Sequence, residues 1–138
     1  MGYFYVGAKT NQHKQASGKI GETNLKYLST RIGQIRHKEG NFVVIKYLSI
    51  PNSTQAMTRA IEGDVRFMLE KDGYHNVQND HFEWATCPAT KMMEYKDFAD
   101  KAITYAEQYC IMRGIEYTVH EGNPDARRTC RPRQNKKK

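Results

Sequence analysis

An α+β fold, a small three-stranded and mostly antiparallel sheet flanked by helices, follows from three features of this 138-residue sequence. The run Phe42-Val-Val-Ile-Lys-Tyr-Leu-Ser-Ile50 is β-branched and aromatic over the length of a central strand. Later segments repeat apolar residues with the period of a helix. An aromatic N-terminal strand is followed by a polar, Gly-, Ser- and Asn-containing stretch of hairpin character.

Taken in order, Tyr3-Phe-Tyr-Val6 is the first strand, residues 7–18 a loop, and Lys19-Ile-Gly-Glu22 a short second strand. Thr23-Asn24 forms a helix N-cap pair, and Leu25, Leu28, Ile32 and Ile35 fall on one helical face, which predicts a helix over 25–38 stopped by Gly40-Asn41. The strand at 42–50 ends at Pro51. Asn52 and Gln55 read as a capping pair for a helix whose stripe is Met57, Ala60, Ile61, Val65 and Met68, running to Lys71 and closed by Gly73. Residues 74–90 read as irregular, with an aromatic knot at Phe82-Glu-Trp84. The widest apolar face, from Tyr95 through Phe98, Ala102 and Ala106 to Cys110, predicts a helix over 94–112, and Ile115–His120 a last short strand. The expected organisation is a core at 1–84, a helical extension packed on it at 85–126, and a basic tail at 127–138.

The net charge of +7 belongs to that tail. Arg127, Arg128, Arg131, Arg133, Lys136, Lys137 and Lys138 are seven bases with no acid, and removing them from the 22 Lys and Arg leaves 15 bases against 15 acids. Such a run repels itself, reads as disordered, and suits non-specific attraction to nucleic-acid phosphates. The three cysteines form no Cys-x-x-Cys pair, and the five histidines no zinc spacing with them, so neither a disulfide framework nor a zinc ribbon is expected. With no signal-peptide pattern and no apolar run near the ~20 residues of a membrane span, the expectation is a soluble protein of the reducing cytoplasm with no membrane partner.

The first part of the chain resembles the GIY-YIG nuclease superfamily. Its first triad reads Tyr3-Phe4-Tyr5 and its second Lys19-Ile20-Gly21, with 13 residues between them. A Lys-Ile-Gly second motif is similar to that of a phage-associated branch, and Lys19-Ile-Gly-Glu-Thr-Asn24 looks like its continuation into the helix. Arg31 matches the family's helix arginine, Glu62 its metal-binding glutamate, and Asn79-Asp-His-Phe-Glu-Trp84 the end of its core. The resemblance covers about 80 of 138 residues. It implies a metal-dependent endonuclease, with DNA the substrate rather than RNA and a phage or mobile-element setting.

Phosphodiester hydrolysis needs an activated water, positive charge on the phosphoryl oxygens and help for the leaving oxygen. The resemblance makes Tyr5 the general base, Arg31 the phosphate clamp, and Glu62 the ligand of a single Mg²⁺ or Mn²⁺. A free tyrosine has a pKa near ~10, so a cation must favour its phenolate; Lys19 on the adjacent strand is expected either to do so or to contact the phosphate directly. Tyr3, Arg36, His37 and Asn79 are additional candidates. Each also has a plainer meaning: a buried aromatic pair for Tyr3 and Tyr5, a solvated helix residue for Arg31, an ion pair for Glu62 beside the apolar stripe. Because the first triad lacks its glycine, the alternative is the same fold without catalysis, binding nucleic acid through its tail or inhibiting a host protein. A third reading is a homodimer or protein-partner surface on the 94–112 helix.

Overall fold

The computed structural model describes residues 1–10, 15–39, 42–73, 83–88 and 92–122. Among these the element order is β1 (Gly2–Thr10), β2 (Gln15–Thr23), α1 (Leu28–Glu39), β3 (Val43–Ile50), α2 (Gln55–Lys71), β4 (Glu83–Pro88), α3 (Met92–Arg113) and β5 (Thr118–Glu121). The α+β class is as expected, but the sheet has five strands rather than three, in the order β4-β2-β1-β3-β5. Every pairing is antiparallel.

Two corrections account for the larger sheet. The polar segment read as a loop is strand up to Thr10 and again from Gln15, with Ala8 paired to Gly18 and Lys9 to Ser17. Small and polar residues there have little strand propensity, but β3 and β4 supply ladder partners on both sides, and such tertiary context overrides propensity. The segment at 74–90, read as irregular, contributes β4, which pairs with β2 from Gln15 to Lys19. At the opposite edge β5 pairs with β3.

Strand alternation sends successive side chains to opposite faces and so builds two cores. Phe4, Val6, Ile20, Leu48 and Ile50 lie under α2 and α3, against Ile61, Val65, Leu69, Phe98, Ala102 and Ala106. Tyr5, Val44 and Tyr47 face the other way, against Leu28, Ile32 and Ile35 of α1 with Phe42. Of the apolar residues that suggested a partner surface on α3, Phe98, Ala102, Ala106 and Cys110 are buried in the main core, while Ile111 and Met112 at its end stay exposed. Lys46 of β3 and Asp100 of α3 pair at 2.6 Å across the same face. The boundary expected after residue 84 falls inside β4.

The helix starts differ from expectation. Thr23 Oγ1 accepts a hydrogen bond from the Leu25 amide at 3.1 Å, a local turn, and α1 begins only at Leu28. Asn52 is not a cap: it takes φ 57° in the turn after Pro51, and Thr54 caps α2 by accepting from the Met57 amide at 3.2 Å. The buried stripe also differs from expectation: Thr58 and Leu69 are buried and Ala60 is exposed. Thr54→Ala is expected to cost about 1 kcal/mol, read as a lower denaturant midpoint. No helix of the described residues is long and apolar enough to cross a membrane.

Candidate functional site

A pocket of about 380 Å³ opens where β2 runs past the end of β4. β4 pairs only as far as Lys19, so among the described residues Ile20–Thr23 have β1 on one side and no strand on the other. At such an edge, groups from both faces of a sheet can meet. The lining comes from β1 (Tyr5), β2 (Lys19, Ile20, Gly21, Glu22), α1 (Arg31) and α2 (Arg59, Glu62, Arg66).

Tyr5 sits mid-strand with 1 % exposure. Its cross-strand neighbour is Gly21, and the ring lies over that glycine: a Cβ there would stand 2.5 Å from Tyr5 Cζ and 2.8 Å from Cε1. Only the missing side chain permits this approach. Arg31 Nε donates to Tyr5 Oη at 3.3 Å, while another guanidinium nitrogen donates to Gln34 Oε1 at 3.3 Å. Burial pushes the Tyr5 phenol above its usual range, Arg31 opposes that, and the carboxylates of Glu62 and Glu22 add to it. Arg31 is thus a cation bonded to the Tyr5 hydroxyl. Lys19 is 5 % exposed, and its charge acts on Glu62.

Glu62 pairs with Arg66 one turn along α2, Oε2 to nitrogen 3.1 Å. Burial raises its carboxyl pKa; Arg66 opposes the rise, Glu22 adds to it, and Lys19 lowers it. Glu22, the second carboxylate, accepts a hydrogen bond from the Thr58 hydroxyl at 2.7 Å and lies 3.9 Å from Arg59 Nε. Glu22, Arg59 and Arg66 escaped the sequence reading. The Glu62–Arg66 spacing of four was a readable helix pair, and Glu22 directly follows the Lys-Ile-Gly motif; nothing in the sequence brings Arg59 to Glu22.

Tyr3, Arg36 and His37 do not line the pocket. Tyr3 donates to the Lys26 carbonyl at 3.3 Å and meets the Tyr47 ring edge-on. Arg36 Nε donates to the Phe42 carbonyl at 2.9 Å, tying the end of α1 to the start of β3. His37 is exposed and does not line the pocket. Asn79 and the seven bases of 127–138 lie outside the described residues.

Among the described residues no three or more His, Cys, Asp or Glu side chains form a metal-holding group. Two carboxylates, with Glu22 raising the cost of charging Glu62, nevertheless suit a hard divalent ion that keeps water in most positions. Four cationic side chains in the same lining suit a phosphate. No family model, curated protein or solved structure matches the chain.

Proposed function

We propose that this protein is a metal-dependent endonuclease of the GIY-YIG type, hydrolysing phosphodiester bonds in DNA rather than RNA, in a phage or mobile-element setting. The observation that carries this reading is the convergence of Tyr5, Lys19, Arg31 and Glu62, from four different elements, on one pocket. Residues 57 positions apart in the chain meet there in the combination that the chemistry requires.

Each side chain then has a task. Arg31 offers a planar fork to two phosphate oxygens and, through its hydrogen bond, holds the Tyr5 hydroxyl towards the pocket. Tyr5 takes a proton from the attacking water once its own has left. Lys19 and Arg31 balance the charge that gathers on the phosphoryl oxygens. Glu62, with Glu22 beside it, would hold Mg²⁺ or Mn²⁺, which when bound supplies a further positive charge at the phosphate and the leaving oxygen. Thr58 fixes Glu22 by its hydrogen bond.

The purified chain is tested with supercoiled plasmid, branched DNA and RNA, in Mg²⁺, Mn²⁺ or EDTA. Cutting is expected with metal alone, and Glu62→Ala is expected to lower it by about 10²-fold or more. The pairing of Glu62 with Arg66 favours a second reading, a non-catalytic nucleic-acid binder in which that carboxylate serves the ion pair. That reading yields no product with any divalent ion and binding that strengthens as salt falls.

A further inference from the structure

Both carboxylates of the pocket face an arginine of α2. Glu62 is in direct contact with Arg66, side chains 13 % and 29 % exposed, whereas Glu22 and Arg59 stand 3.9 Å apart with Arg59 67 % exposed. Arg59, Glu62 and Arg66 follow one another at spacings of three and four, which sets them in one stripe along α2, and all three line the pocket. The close pair is the informative one. A carboxylate engaged by a partly buried guanidinium cannot take a cation until that guanidinium leaves, and a guanidinium left behind without an anion is costly.

Resting on the reading of Glu62 as a cation ligand, we propose that Arg66 exchanges partners: it holds Glu62 in the free protein and moves to a phosphate oxygen of the substrate when a divalent ion takes Glu62. Arg66 then binds the substrate itself and couples two binding events. A phosphate in the pocket draws Arg66 off Glu62 and so opens the carboxylate. A cation on Glu62 releases a forked donor that matches two phosphate oxygens. Each ligand removes the cost that the other faces, and by linkage each strengthens the other by the same factor. The stripe on α2 needs only a side-chain movement for this, since Arg66 already lines the pocket that the phosphate enters.

The test measures binding rather than cutting, on the full chain, with Ca²⁺ as an oxygen-seeking probe ion and a short duplex DNA. Calorimetry gives the Ca²⁺ affinity with and without DNA; fluorescence anisotropy gives the DNA affinity in Ca²⁺ and in EDTA. In the wild type each ligand is expected to tighten the other by about 5-fold or more. In Arg66→Gln, Ca²⁺ alone is expected to bind more tightly than in the wild type, and the coupling factor to fall towards one. Arg59→Gln removes the same charge from the pocket rim; it is expected to weaken DNA binding and to keep the coupling. Arg66→Lys, which keeps the charge and loses the fork, is expected to give an intermediate coupling, and it decides the matter if Arg66→Gln does not fold.

Wild-type coupling in Arg66→Gln or in Arg66→Lys overturns the proposal. So does an equal loss in Arg59→Gln, which would make pocket charge rather than partner exchange the cause. Glu62→Gln separates this from failure of the parent reading: Ca²⁺ binding that survives there removes Glu62 as the ligand and both ideas with it.

Discussion

Tyr5→Phe is expected to slow phosphodiester cleavage by about 10²–10⁴-fold, the usual worth of a general base, with the fold retained. The substitution keeps the ring that packs edge-on against Phe42 and removes only the hydroxyl that accepts from Arg31. Arg31 is half-buried and still bonds to Gln34, so the stability cost is about 1 kcal/mol. The pH dependence has a definite sign. Only the phenolate accepts a proton, and burial holds the Tyr5 phenol above its usual range, so the rate should climb with pH, about tenfold per unit, with no plateau below ~10. Arg31 opposes the rise; Arg31→Met should therefore be slower at every pH. The same shift affects stability. The folded chain holds this proton more tightly than the unfolded one, so the contribution is complete below the ordinary phenol pKa and is lost as pH rises through the folded value. Alkaline thermal melts should show a smaller loss in Tyr5→Phe than in the wild type. A rate plateau near neutrality, or wild-type cutting by Tyr5→Phe, would remove Tyr5 as the base.

Gly21→Ala should damage fold and site together. The added Cβ meets Tyr5 Cζ at 2.5 Å and Cε1 at 2.8 Å, with Oη nearer still, and these belong to a ring that is itself buried between strands and α1. The ring must turn away, which breaks its alignment with Arg31 and overpacks the smaller core, at a cost of about 1–3 kcal/mol. Denaturant titration and a cleavage assay are expected to fall in step. Gly33 is the contrast: it is exposed on α1 with nothing within 4 Å of an added Cβ. Gly33→Ala is expected to stabilise by about 0.5–1 kcal/mol through the helix alone. Equal stability of the two alanine variants would contradict the close approach at Gly21.

Elements with strong local signals were legible in the sequence. The 43–50 strand opens on Val43-Val-Ile45 and closes on Ile50, and α2 and α3 carry long apolar stripes, so their identities needed no tertiary information. The long hairpin and β4 did not announce themselves, because Ala16-Ser-Gly18 and Glu83–Pro88 owe their strand state to ladder partners elsewhere in the chain. That omission bears on the site, since among the described residues β4 pairs with β2 only as far as Lys19, which leaves the β2 edge open from Ile20 to Thr23. Tyr5, Lys19, Arg31 and Glu62 were nameable through the family resemblance of the two triads and the element order, and all four line the pocket. Glu22 was not, because its partner Thr58 is 36 residues away and the hydrogen bond between them depends on how α2 crosses β2. The contact of Arg31 with the Tyr5 hydroxyl was likewise not legible, because it depends on how α1 crosses β1, 26 residues away in the chain.

The account turns on Tyr5 and Glu62 acting as parts of one site, and a double-mutant comparison tests that most directly. Single-turnover cleavage is measured in Mg²⁺ for the wild type, Tyr5→Phe, Glu62→Gln and the double variant. Groups that act as a unit lose their effect together, so the double variant is expected to be about as slow as the slower single one. Losses that multiply, or cutting that neither substitution changes, would contradict a shared site.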